Sequence, residues 1–103
     1  MTLRDKQSLF VVMIAQLILH ATELGYQLTW GDAYRDPRVP YGHPHSLHKL
    51  RLAVDLNLFK DGTWLNRTED HRVLGEWWES IGGTWGGRFD DGNHYSLSYN
   101  GMK

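Results

Sequence analysis

The chain contains no cysteine. Disulfide bridges and thiolate zinc clusters are therefore excluded, and a bound metal ion would have to be held by histidine and carboxylate side chains. Positive charge is not in excess either, because 11 lysines and arginines are set against 12 aspartates and glutamates, with a net charge of −1 when histidine is neutral. We therefore expect neither a nucleic-acid-binding surface nor an electrostatic attachment to an anionic membrane.

The sequence also lacks a long hydrophobic run. The longest one, LFVVMIAQLIL at residues 9–19, is interrupted by Gln16 and is too short to cross a bilayer, so no stable membrane insertion is expected. No small-x-small cleavage site follows it, and its apolar residues recur at helical spacing up to Gly25. We interpret this segment as an amphipathic core helix, and we expect the chain to carry no signal peptide.

Proline is scarce, and all three prolines lie in the segment DPRVPYGHPHSL at residues 36–47, which predicts a loop. After this loop, leucine and valine alternate with polar or small residues over 50–58, the pattern of a half-buried strand. A hairpin turn at 60–63, a second helix opened by Thr68 as its N-cap, and a strand from His94 follow. The 103 residues thus predict a single α+β domain, residues 1–103, with a small antiparallel sheet, an N-terminal helix and a second helix.

The strand segment SLHKLRLAVD contains His48 and Asp55, which are seven positions apart. Because strand side chains alternate between faces, this odd separation would place the two side chains on opposite sides of a regular sheet. A bend or bulge where the loop meets the strand would re-aim His48 and bring the two together. The alternative is that Asp55 is only a solvated residue on an exposed strand face.

A second polar pair, Asp91 and His94, lies in the glycine-rich loop before the last strand. Two histidines and one carboxylate would make a three-ligand zinc site with one position left for water, and a further carboxylate beside that water is the general base of metal-assisted hydrolysis. The spacing alone does not decide which histidine of the first segment would be the ligand, because His43 and His45 lie close to His48.

These residues resemble a known family. Ser46-x-His48 with Ala53-x-Asp55, followed downstream by Trp85-Gly-Gly and Asp91-x-x-His94, is similar to the M15 zinc peptidases. That family includes D-Ala-D-Ala carboxypeptidases and dipeptidases and phage L-alanyl-D-glutamate endopeptidases. The resemblance covers most of the chain, including the N-terminal helix and the Gly31–Arg35 segment, and it implies the fold shared by D,D-peptidases and Hedgehog-type domains.

Position by position, the resemblance implies that His48, Asp55 and His94 bind zinc. It implies that Asp91 is the catalytic base, at a position where many members carry glutamate. Arg35 would contact the substrate or polarise its scissile carbonyl, and Ser46 would bond a substrate carboxylate or support the ligand loop. The sequence departs from the family pattern at Arg51, where the motif often has glycine.

The function implied by the resemblance is zinc-dependent hydrolysis of the stem peptide of bacterial peptidoglycan. We expect a monomeric phage endolysin that cleaves the L-Ala–D-Glu bond, is made in the host cytoplasm and acts on the cell wall. The alternatives are a D-Ala-D-Ala carboxypeptidase or dipeptidase, and a non-catalytic binding module that keeps zinc for stability.

Overall fold

The computed structural model describes residues 1–31 and 47–102 and confirms the predicted α+β architecture. Within these residues two helices and five short strands follow one another, with two short 3-10 helices at Thr68–His71 and Gly86–Phe89. The main elements are α1 (Leu3–Glu23), β1 (Gln27–Trp30), β2 (Ala53–Lys60), β3 (Thr63–Leu65), α2 (Arg72–Ser80), β4 (Thr84–Trp85) and β5 (His94–Ser96).

Helix α1 begins and ends at local signals in the sequence. Thr2 and Asp5 form a reciprocal capping box, in which each side chain accepts a hydrogen bond from the backbone N–H of the other residue. The helix ends before Gly25, whose φ of +90° continues the chain in a conformation that glycine adopts at little cost. One face of the helix is buried against the rest of the core, and its members are Phe10, Met13, Ile14, Leu17 and Ala21. No helix in the described part of the chain is long and apolar enough to cross a membrane.

Strand β2 is the centre of the sheet, and both of its edges are used. Strand β1 pairs antiparallel with one edge, with Leu28 opposite Leu58. On the other edge, β5 pairs with residues 53–55 of β2 and β3 pairs with residues 58–60. The hairpin between β2 and β3 turns at Asp61 and Gly62, both with positive φ, as a two-residue hairpin loop requires.

The strand predicted from residue 50 begins instead at Ala53, because the chain makes a tight turn over residues 47–51. The backbone N–H groups of Leu50 and Leu52 both donate to the carbonyl of Leu47, and Gln7 of α1 donates its side-chain N–H to the carbonyl of Leu50. Arg51 lies in this turn with φ of +57°, the left-handed region in which glycine is favoured. This conformation gives a physical reason for glycine at that position in the family motif.

The predicted N-cap role of Thr68 is wrong. Thr68 is the first residue of the 3-10 helix that precedes α2, and Asp70 accepts a hydrogen bond from the N–H of Arg67 there. The hydroxyl of Thr68 accepts a hydrogen bond from the N–H of Gly92, so it ties this helix to the loop before β5. Helix α2 then buries Leu74 and Trp78, and the indole N–H of Trp78 donates to the carbonyls of Thr84 and Ser96.

The left-handed conformation of Arg51 can be tested with two truncations of the same side chain. We expect Arg51→Gly to be more stable to unfolding than Arg51→Ala by about 1 kcal/mol. Glycine avoids the energetic cost of positive φ, and the greater conformational entropy that it gives the unfolded chain offsets only part of this gain. Both variants lose every contact of the arginine side chain, so their difference isolates the backbone. Urea denaturation measures it, and equal midpoints would contradict the assignment.

Candidate metal centre

Two of the predicted ligands are brought together by strand pairing. Asp55 on β2 lies directly opposite His94 on β5 in the antiparallel register. Residues paired in this way project from the same face of a sheet with neighbouring side chains. The carboxylate Oδ1 of Asp55 lies 3.5 Å from Nδ1 of His94 as a result.

The turn before β2 supplies the third predicted ligand. His48 lies in the turn at residues 47–51, where the backbone does not alternate as a strand does, and the N–H of Arg51 donates to its carbonyl. Its Nε2 lies 3.3 Å from Oδ1 of Asp55, and its ring centroid lies 5.2 Å from that of His94. The bend expected from the odd spacing of His48 and Asp55 is therefore present.

The three side chains form one buried cluster. The exposed fractions are 4 % for His48 and 7 % for His94, and the side chain of Asp55 is 17 % exposed. Burial favours the neutral carboxyl of Asp55, but the close approach of the two imidazoles outweighs it and holds its pKa below the ordinary value. Asp55 is therefore an anion between two rings, which is the form in which a carboxylate binds a metal.

The geometry of the cluster fits a small divalent ion. One ligand atom from each of His48, Asp55 and His94 can be chosen so that all three lie within 4.8 Å of one another. Bonds of about 2.0–2.1 Å at tetrahedral angles place neighbouring zinc ligands roughly 3.3 Å apart, which the 3.3 Å and 3.5 Å separations match. Oδ1 of Asp55 is buried and has no well-formed hydrogen bond within the described residues, as expected of an atom whose partner is a cation.

The predicted base, Asp91, lies beside this cluster at its solvent side. Its Oδ2 is 3.9 Å from Nδ1 of His94, and its side chain is 51 % exposed. Its backbone N–H donates to the carbonyl of Gly86, and its carbonyl accepts from the N–H of His94. The carboxylate is thus held next to the ligand set while remaining accessible to a substrate.

Residues that sequence reasoning did not assign to the site hold this loop in place. The indole N–H of Trp85 donates to the carbonyl of Gly92 at 2.7 Å, and Asn93 accepts from the N–H of Leu56 at 2.9 Å. The side chain of Trp85 is fully buried. A Cβ at Gly86 would collide with the carbonyl oxygen of Asp91 and with Cβ of His94, so the close approach requires glycine.

The other described histidines lie apart from the cluster. His20 stacks on Trp77 with ring centroids 4.3 Å apart. His71 is 3 % exposed, and its Nδ1 lies 2.8 Å from the hydroxyl of Tyr95. Burial lowers the pKa of His71 to about 4, so its imidazole is neutral at neutral pH.

Four residues considered in the sequence lie outside the described residues. These are the predicted substrate contacts Arg35 and Ser46 and the alternative ligands His43 and His45. The roles of Arg35 and Ser46 therefore stay predictions.

Comparison with known families now adds to this geometry. A family model described as D-alanyl-D-alanine carboxypeptidase, within the M15 peptidases, matches residues 39–97. The chain belongs to the M15 peptidase family. The matched range contains every residue of the candidate metal centre, from His48 to His94. A comparison with curated proteins gives no significant match.

Metal binding can be measured as a gain in thermal stability. At a free zinc concentration 100 times Kd, binding to the folded state alone adds about 2.7 kcal/mol, on the order of 10 °C in Tm for a domain of this size. We expect Asp55→Asn to abolish this zinc-dependent shift, because it removes the anionic ligand between the two imidazoles.

The matched control is Asp61→Asn in the β2–β3 hairpin. It removes the same charge at an exposed position whose positive φ asparagine tolerates, and it should keep the full shift in Tm. A zinc shift that survives in Asp55→Asn would contradict the assignment of Asp55.

The loop geometry predicts a selective effect of Gly86→Ala. The added methyl must displace the backbone of the Asp91 loop and the side chain of His94. We therefore expect Gly86→Ala to weaken zinc binding and also to lower the free energy of unfolding. Gly62→Ala is the control, because it adds the same methyl group where there is open space around the Cβ, at a backbone cost of about 1 kcal/mol for its positive φ. Isothermal titration with zinc should separate the two variants, and equal affinities would refute the role of Gly86.

Proposed function

We propose that the chain is a zinc-dependent hydrolase of the stem peptide of bacterial peptidoglycan. The observation that carries the proposal is the convergence of His48, Asp55 and His94 on one point, with the exposed carboxylate of Asp91 beside them. Membership of the M15 peptidases supports peptide hydrolysis as the reaction and peptidoglycan as the substrate.

The residues have distinct roles in this mechanism. The chemistry that zinc supplies when bound is Lewis-acid activation of water and of a carbonyl oxygen. His48 and His94 would contribute imidazole nitrogen ligands, and the carboxylate of Asp55 would offset part of the cationic charge. Asp91 takes a proton at its carboxylate and passes it to the leaving amine, for which its exposure to solvent and its position beside His94 are suited. Arg35 is proposed to contact the scissile carbonyl.

The role of Asp91 is tested by removing its basicity without changing its size. We expect Asp91→Asn to lower kcat on purified peptidoglycan by at least about 100-fold, since a positioned general base contributes 100-fold or more. Zinc content should stay at the wild-type level, because Asp91 is not among the three ligands. Asp61→Asn in the distant hairpin is the control and should keep wild-type activity.

The same pair of variants separates catalysis from a purely structural use of zinc. A second candidate function, a non-catalytic module stabilised by zinc, is favoured by the burial of the ligands against the central strand. In that case wild-type protein would bind peptidoglycan without releasing new amino groups, and Asp91→Asn would behave as wild type.

The bond cleaved is proposed to be L-Ala–D-Glu, as in phage endolysins of this family. The description of the matching family favours the alternative, release of the terminal D-alanine. Mass spectrometry of muropeptides after digestion distinguishes the two, because the first reaction releases the stem peptide from D-Glu onward and leaves L-Ala behind, whereas the second shortens the stem by its terminal D-Ala. Products that are unchanged by a chelator would exclude zinc chemistry in either case.

We further propose that the protein is made in the bacterial cytoplasm and reaches the wall when the membrane is opened. Inducible expression in a bacterial host tests this. Cells should lyse after the membrane is permeabilised, and they should not lyse before. Lysis without permeabilisation would contradict this route.

A further inference from the structure

Strand β2 leaves a gap along one of its edges. β5 pairs with it as far as Asp55, and β3 begins to pair at Leu58, so two residues of β2 lie between the partner strands. A cavity of about 200 Å³ occupies this gap. Asp91 forms part of its wall, and the cavity therefore adjoins the candidate metal centre. Other residues of the wall are Leu56, Asn57, Trp64, His71, Asp90 and Asn93.

His71 presents a hydrogen-bond donor to this cavity. The hydroxyl of Tyr95 lies 2.8 Å from Nδ1 of His71, and this nitrogen is the partner to which the phenolic O–H can donate. With Nδ1 of His71 accepting that bond, the neutral imidazole carries its own proton on Nε2. Within the described residues Nε2 of His71 makes no hydrogen bond, yet it is not one of the buried polar atoms that lack a partner. Nε2 is therefore accessible to solvent, and it faces the cavity that His71 lines.

The other polar groups of the wall disfavour an anionic ligand. Asp90 and Asp91 contribute negative charge. The guanidinium of Arg67 also lines the cavity, but it is 81 % exposed and lies 3.5 Å from the carboxylate of Asp70, which offsets its charge. A carboxylate entering the cavity would be repelled by the aspartates, whereas an amide oxygen would accept a bond from His71 without that repulsion.

Leu56 adds a backbone acceptor. Its N–H donates to the carbonyl of Asn93, and the N–H and C=O of one strand residue point to the same edge. The carbonyl of Leu56 therefore faces the gap between β5 and β3. A donor from His71 and an acceptor from the strand edge together match a carboxamide, which has one oxygen acceptor and an N–H donor.

We propose that this cavity is a substrate-specificity site in which His71 Nε2 and the edge of β2 bind a neutral carboxamide of the peptide, next to the bond that is hydrolysed. The inference rests on the proposed function, since it assigns the cavity to the same substrate. His71 is a specificity residue in it and takes no part in proton transfer.

The test uses two synthetic peptides. The first is L-Ala-D-Glu-L-Lys, linked through the γ-carboxyl of D-Glu, with the α-carboxylate of D-Glu free. In the second peptide that α-carboxylate of D-Glu is converted to a carboxamide. The zinc-loaded wild-type protein should hydrolyse the carboxamide peptide with a kcat/KM about fivefold higher, as expected when a neutral ligand avoids repulsion of roughly 1 kcal/mol. Asp90→Asn should lower the ratio of the two kcat/KM values, carboxamide over carboxylate, because it removes one of the negative charges of the wall. Asparagine also tolerates the left-handed backbone at that residue, so the substitution does not strain the loop.

Two substitutions of His71 separate recognition from structure. His71→Asn retains an acceptor near Nδ1 for Tyr95 and loses the Nε2 donor, so we expect KM for the carboxamide peptide to rise about tenfold with kcat nearly unchanged. His71→Gln, whose amide nitrogen reaches the position of Nε2, should restore most of the affinity. Equal ratios for the two peptides in wild type, or a loss confined to kcat in His71→Asn, would overturn the proposal.

A binding measurement keeps the cavity testable if neither peptide is cleaved. Absence of hydrolysis by wild type would count against the proposed function alone. NMR of protein labelled with ¹⁵N-histidine should still show the Nε2 signal of His71 moving when the carboxamide peptide is added at millimolar concentration, and moving less with the carboxylate peptide. An unmoved signal would refute the carboxamide site itself.

Discussion

The pairing of Asp55 with His94 across β2 and β5 is the constraint on which the candidate site depends. A slip of one residue in this register would turn one of the two side chains to the other face of the sheet. The register is held by burial, because Val54, Leu56 and Tyr95 on the two strands are all fully or almost fully buried. The hydrophobic core thus fixes the separation of two ligands, and the turn that carries His48 has only to bring the third ligand to a prepared position.

The carboxylate proposed as base is coupled to the same core through a chain of close contacts. Asp91 lies on a loop whose backbone bonds to Gly86 and, through Gly92, to the indole of Trp85. That indole is fully buried and flanked by the guanidinium groups of Arg72 and Arg88, whose Cζ atoms lie 5.6 Å and 5.3 Å from the ring. Side chains on α2 and the second 3-10 helix therefore limit the freedom of the loop.

Sequence reasoning predicted the elements and the ligand set better than the contacts between them. Local patterns are sufficient for the helix before Gly25, the hairpin at Asp61 and Gly62, and the alternation along β2. The odd spacing of His48 and Asp55 predicted a bend before β2. It did not predict that the turn extends over residues 47–51, because the leucines at 50 and 52 continue the alternating pattern of the strand into the turn. The burial of Trp85 and the bond between Thr68 and Gly92 join distant parts of the chain, and no local pattern reports such contacts.

The division of one edge of β2 between two short strands has a consequence for solubility. A sheet edge left open over its whole length is a template for pairing with other chains and for aggregation. In this protein β3 and β5 cover most of that edge and leave two residues between them, of which Leu56 donates its N–H to the carbonyl of Asn93. An opening of this size is too short to recruit a foreign strand in register, so this edge of β2 can hold a polar cleft without becoming a template for aggregation.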